Sequence, residues 1–286
     1  MRQRAGLAVL LALAIGAAAC AGGERSATTS PSAAASAAAT TASSIPTAAV
    51  AAGDAVYLSI GDSIQYGCCH DRTQSAGELF RAYLEQRLHR PVEWVTVAGN
   101  DTADTFIHGV SGAAPQMQRA LEALAAFKRE GRPVVAITMS IGGNDYVEVG
   151  ERCGGSSPSC PQVFDDILAR MKPELPVIYT AINQAKDEHT PLFLLTYYNA
   201  SDCGQAGVEQ SPTDVGQRVW NAAITDAAKP FGFFMVDLYA PFKGKACEYV
   251  EGVDPTYEGY RVIAGLYRAA YEALPSEYIE PFRAGN

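Results

Sequence analysis

The sequence predicts an α/β domain, a three-layer α/β/α sandwich on a five-stranded parallel sheet. Five short apolar runs recur along the chain, and each is apolar throughout instead of alternating. Segments with helical spacing of apolar residues separate the runs. Strands apolar on both faces must be covered on both faces, and the intervening helices supply the crossovers that parallel neighbours need.

The first run, residues 55–60, leads into Gly61-Asp62-Ser63-Ile64. It reads as a buried strand followed by a sharp glycine turn. Ligands of open α/β sheets gather at the carboxyl ends of strands, so Ser63 stands where a nucleophile is useful. Residues 77–88 place Leu79, Tyr83, Leu84 and Leu88 on one helix face. The remaining strands are expected at 92–97, 134–140, 192–197 and 233–237, with helices at 116–129, 162–185, 214–228 and 257–273. Gly131, Pro133 and Pro191 mark strand entries, and no internal repeat is present. Residues 53–286 therefore form one domain with a sizeable core. Trp94 and Trp220 are expected in packing roles on a strand and a helix, and Asp62 as a brace of its turn.

The first 52 residues differ in kind. A basic start, Met1-Arg2-Gln3-Arg4, precedes an apolar stretch that ends at Ala19, the pattern of a secretory signal over residues 1–19. The stretch is short of the roughly 20 residues that span a membrane. Ala17-Ala18-Ala19-Cys20 resembles a bacterial lipobox, which implies a lipid on Cys20 and attachment to the outer side of the cytoplasmic membrane; secretion after ordinary cleavage is the alternative. Residues 20–52, rich in Ala, Ser and Thr, cannot bury enough surface to offset their ordering entropy and read as a disordered tether.

A net charge of -9 argues against a nucleic-acid partner. Besides Cys20 the chain has Cys68, Cys69, Cys153, Cys160, Cys203 and Cys247, an even set that favours disulfides in an exported protein. Cys153 and Cys160 bracket a local loop. Cys203 and Cys247 each follow a strand end and are paired, which leaves Cys68 with Cys69. A zinc site is not indicated, because no histidines stand at ligand spacing, and no cofactor is expected.

Four motifs follow strands or precede helices on one edge of the expected sheet. They are Gly61-Asp62-Ser63, Gly99-Asn100-Asp101-Thr102, Gly142-Gly143-Asn144-Asp145, and Glu251-Gly252-Val253-Asp254 running into Pro255-Thr256-Tyr257-Glu258-Gly259-Tyr260. Singly, each reads as a capped turn. Together they resemble the SGNH hydrolases, the GDSL esterase/lipase family, over about residues 55–273. The resemblance implies a flavodoxin-like SGNH hydrolase fold with Ser63 as nucleophile. It further implies an oxyanion hole made by the Ser63 and Gly99 N–H groups and the Asn144 amide. Tyr197-Tyr198-Asn199 resembles a stretch that shapes the cleft rim in some relatives.

The family's closing Asp-x-x-His is here Glu251-x-x-Asp254, so Asp254 stands at the base position and Glu251 at that of the residue orienting it. A free carboxylate is a poor base at neutral pH. Two neighbouring carboxylates disfavour each other's charge, which favours basicity, but Asp is shorter than imidazole and is expected to reach Ser63 directly or through a water. Of the four histidines, His89 and His189 lie on a helix and at the opposite edge, whereas His70 and His108 lie in loops on the active edge. The expected function is an exported serine ester hydrolase for a small acyl or acetyl ester, with a weakened base. The alternatives are a non-catalytic lipoprotein that binds a glycan or lipid in the same cleft, or an acyl transferase.

Overall fold

A computed structural model describes residues 54–153 and 160–283. The expected signal, Cys20 and the tether lie outside the described residues. Among the described residues no helix is long and apolar enough to cross a membrane.

In chain order the domain runs β1 (Ala55–Gly61), α1 (Ser63–Tyr66), α2 (Ala76–Leu88), β2 (Val92–Ala98), α3 (Ala103–His108) and α4 (Gln116–Glu130). It continues through β3 (Val134–Ser140), α5 (Gly143–Cys153), α6 (Cys160–Ala185), β4 (Leu192–Leu195), α7 (Pro212–Ala228) and β5 (Phe234–Val236). Then come α8 (Tyr239–Phe242), α9 (Ala246–Tyr249), β6 (Val250–Glu251), β7 (Asp254–Pro255) and α10 (Tyr257–Glu272). The strands β1 to β5 form one parallel sheet, as the apolar runs predict, and their order is β2-β1-β3-β4-β5. β6 and β7 form a separate antiparallel hairpin.

Burial follows the order. Every residue of β1, β3 and β4 is buried, whereas β2 and β5, at the edges, keep partly exposed positions. On one face Phe80 of α2 packs edge-on against Tyr57 of β1 at 5.2 Å, with Tyr267 of α10 at 5.3 Å. On the other, Trp220 of α7 meets Phe164 of α6 at 5.7 Å and Tyr146 of α5 at 5.3 Å. Fully burying one such aromatic contributes about 1.5–3 kcal/mol, so these clusters hold the layers together. Trp220 has no exposed surface. Trp94 is partly exposed, with the Arg72 guanidinium 4.6 Å above its ring and its Nε1 donating to Ser59 at 2.7 Å.

Candidate active site

The Gly61-Asp62-Ser63 turn is shaped by its neighbours. Gly61 closes β1 at φ +133°, where a side chain would overlap the Ser140 carbonyl, so only glycine fits. Asp62 then caps α1, accepting from the Ile64 N–H at 3.1 Å and from Ser140 Oγ at 2.6 Å, while Tyr197 Oη donates to its other oxygen. Asp62 thus ties β1, β3 and the end of β4 together beneath Ser63. Burial pushes its carboxyl up to about 6, against the lowering effect of those hydrogen bonds, with nearby Asp254 raising it further. The brace expected of Asp62 is what the structure shows. Tyr197 and Tyr198 are buried supports and not rim residues.

The second loop is locked to the first and third. Gln116, missed in the sequence because it reads as an ordinary helix start, is buried and donates to both Gly61 O (2.6 Å) and Val97 O (2.7 Å). The Asn144 amide donates to Asp101 O at 3.1 Å, and fully buried Asp145 accepts from Ala103 N–H at 2.8 Å. Burial raises the Asp145 carboxyl, partly offset by the Ala103 N–H and Arg170.

One expected donor needs correction. The Gly99 N–H donates to Gly61 O at 2.9 Å, extending the β1–β2 ladder, and is not free for an oxyanion. The next two N–H groups, those of Asn100 and Asp101, have no protein acceptor among the described residues. Ser63, the first residue of α1, has no intrahelical acceptor for its own N–H. The structure therefore brings Ser63, the loop at 99–102 and Asn144 to the carboxyl ends of β1, β2 and β3, with unused amide hydrogens among them.

The hairpin supplies the fourth side. Glu251 and Asp254 face each other across β6 and β7, and Tyr198 Oη docks the turn by donating to Val253 O at 2.8 Å. The expected orienting contact between the two carboxylates is absent. Glu251 turns outward, 77% exposed, with Oε2 3.8 Å from His70 Nε2. Asp254 Oδ2 lies 3.5 Å from Cys69 Sγ, and its buried Oδ1 has no hydrogen-bond partner, so no hydrogen bond joins it to Ser63. Burial first, and Asp254 second, raise the Tyr198 and Tyr260 phenols, which stay protonated donors.

The six cysteines pair at bonding distance as expected, Cys68 with Cys69, Cys153 with Cys160 and Cys203 with Cys247, with Cα separations of 3.8, 5.2 and 5.1 Å. Cys68, Cys69 and Asp254 bring ligand-type atoms within 4.8 Å of one another, but sulfurs bonded to each other offer no thiolate. Asp104, His108 and Glu174 form a second such group, on the flank made by α3 and α6. His89 caps α2 in the left-handed region, and His189 precedes β4 at the far edge.

A hydroxyl beside preorganised amide donors is the arrangement acyl transfer requires, since negative charge develops on the former carbonyl oxygen. Comparison with known proteins points the same way. The family described as "GDSL-like Lipase/Acylhydrolase family" matches residues 59–262. No curated protein sequence matches the chain. Among solved structures, a lipase from a goat rumen metagenome shares 19% identity, with 76% of this chain and 97% of that one covered and a TM-score of 0.56. A catalytic mutant of an acetylxylan esterase from Geobacillus stearothermophilus shares 15% identity over 76% of this chain and 94% of its own, with a TM-score of 0.53. A putative GDSL-like lipase from Parabacteroides merdae shares 14% over 77% and 96%, with a TM-score of 0.52.

Proposed function

The chain belongs to the GDSL-like lipase/acylhydrolase family, and from that membership we propose that it is an exported serine ester hydrolase for a small acyl or acetyl ester. Ser63 is the nucleophile in this reading. The oxyanion is held by the Ser63 N–H, the Asn144 amide and the N–H of Asn100 or Asp101 in place of Gly99. The observation that carries the proposal is the meeting at one sheet edge of Ser63 with the acceptor-free N–H groups of residues 63, 100 and 101 and with the Asn144 amide, which gives one hydrogen to Asp101 O. Losing a single such donor costs about 10²–10³ in rate. The small acyl group is read from the kinship with esterases, one of whose solved relatives is described as an acetylxylan esterase. Export is read from the leader sequence, with either a lipid on Cys20 or secretion after ordinary cleavage.

The base position is altered. Asp254 occupies it without a hydrogen bond to Ser63, and loss of the base in a serine hydrolase can cost about 10⁶ in turnover. That observation favours a second reading, a cleft that binds a glycan or lipid without turning it over. Labelling with a fluorophosphonate separates the two. The hydrolase reading expects a labelled Ser63 peptide, together with p-nitrophenyl acetate hydrolysis that falls at least a hundredfold in Ser63→Ala. An unlabelled serine and no Ser63-dependent hydrolysis assign the cleft to binding.

A further inference from the structure

We infer that the proton acceptor for Ser63 is His70, positioned by Glu251, and that the base has moved from the family's hairpin position to the loop after the nucleophile helix. The inference rests on the hydrolase reading and changes only which side chain takes the proton. Three observations carry it.

The loop that bears His70 is fastened to the nucleophile turn on both sides of the histidine. Gly67 N–H and Cys68 N–H both donate to the Ser63 carbonyl, at 3.0 and 3.1 Å. Tyr260 Oη donates to Cys68 O at 3.1 Å, and Asp71 N–H donates to Tyr257 Oη at 3.3 Å. His70 is therefore two residues from a group hydrogen-bonded to Ser63 itself, between two anchors that both lead to α10.

The carboxylate facing His70 is Glu251, the residue standing where the family places the acid that orients the base. The His70 side chain is only 18% exposed and its ring rests on Tyr257 at 4.6 Å, so it is held and not free in solvent. The groups around it are Glu251 from the hairpin, the Tyr257 phenol from α10, and Cys69 and Asp71 on its own loop. A carboxylate facing Nε2 orients the imidazole and leaves Nδ1 as the nitrogen available to take a proton.

The nominal base is not engaged. Asp254 Oδ1 has no partner, and Oδ2 rests against a disulfide sulfur that has no proton to give.

The step balances without a co-reactant. Ser63 Oγ bonds to the acyl carbon as its proton passes to His70 Nδ1, directly or across one water, and the carbonyl electron pair moves to the oxygen held by the amide donors. The adduct collapses by breaking the carbon–oxygen bond to the alcohol, which leaves with the proton returned from the imidazolium. Water then repeats the sequence and releases the acid and Ser63.

The test uses the full chain and p-nitrophenyl acetate. His70→Ala is expected to lower kcat/KM by about 10²–10⁴ and to remove the acidic limb of its pH profile. Added imidazole is expected to restore a measurable part of the rate above its own hydrolysis of the ester, and only where Ser63 is present, a rescue that repair of a merely structural defect would not produce. Glu251→Gln is expected to lower kcat more than it changes KM and to move the acidic limb. Should His70→Ala keep its rate and limb while Asp254→Asn loses both, Asp254 takes the proton and the inference is overturned. Should Ser63→Ala leave hydrolysis unchanged in the wild-type background, the hydrolase reading itself fails, a result distinct from the first.

Discussion

Asp62 shows how a single residue is spent on placing another. It is buried beneath Ser63, and its carboxyl is pushed up from 3.8 to about 6, mainly by burial. The folded state therefore holds this proton more tightly than the unfolded chain. Below about pH 4 both states bind it and the site adds no penalty. As pH rises from about 4 to 6 the unfolded chain releases its proton first, so stability falls across that window and is level above it. The expected size is about 1–3 kcal/mol. Urea unfolding at intervals from pH 4 to 7 is expected to show this decline in the wild type, and a shallower one in Asp62→Asn. Parallel curves for the two proteins would remove Asp62 from the account. The same scale explains a misreading. Gly99-Asn100-Asp101-Thr102 announces a turn, but not which of its amides continues the ladder. Only the register of Gly61 against Ala98 shows that the Gly99 N–H is already taken.

The long elements were legible because their burial is continuous or periodic. The runs at 55–60, 92–97 and 134–140 became β1, β2 and β3, and Leu84 and Leu88 of α2 are buried as their spacing requires. The short elements were not legible. α1 and α3 span 4 and 6 residues, too few for a period, and α3 is defined by the reciprocal capping of Thr102 and Thr105. The hairpin of β6 and β7 has two residues per strand and turns at Gly252, φ 65°. Nothing in Glu251-Gly252-Val253-Asp254 says that Glu251 meets His70 while Asp254 rests against Cys69. Packing between elements also sets limits that spacing does not reveal. α2 approaches β2 so closely at Gly77 that a Cβ there would overlap the Trp94 indole. Gly77→Ala is expected to cost about 1–3 kcal/mol through overpacking, although alanine is the better helix former. Chemical denaturation checks the sign, and a stabilised variant would show that the indole yields.

Across the whole molecule, the fold places chemistry on one rim and fastens it from behind. Cys203, in the loop beyond β4, pairs with Cys247 of α9, a separation of 44 residues. The same two segments are joined by Ala246 N–H to Asp202 O at 2.8 Å and by Gly244 N–H to the Asp202 carboxylate at 2.8 Å. This staple lies just ahead of the hairpin that carries Glu251 and Asp254. Replacing both cysteines by serine is expected to lower unfolding stability by about 2–4 kcal/mol in urea at neutral pH. An unchanged midpoint would mean the backbone contacts hold the segment without the bond. The chain has only two tryptophans, and they occupy opposite faces of the sheet. Trp94 stands at the outer edge under Arg72, while Trp220 is sealed in with its Nε1 on Gly142 O at 2.9 Å, two residues before Asn144. Each half of the machinery thus carries its own intrinsic fluorophore. A soluble collisional quencher reaches the first and spares the second, so that loosening of the Ser63 flank and melting of the Asn144 flank emit as separable signals from unlabelled protein.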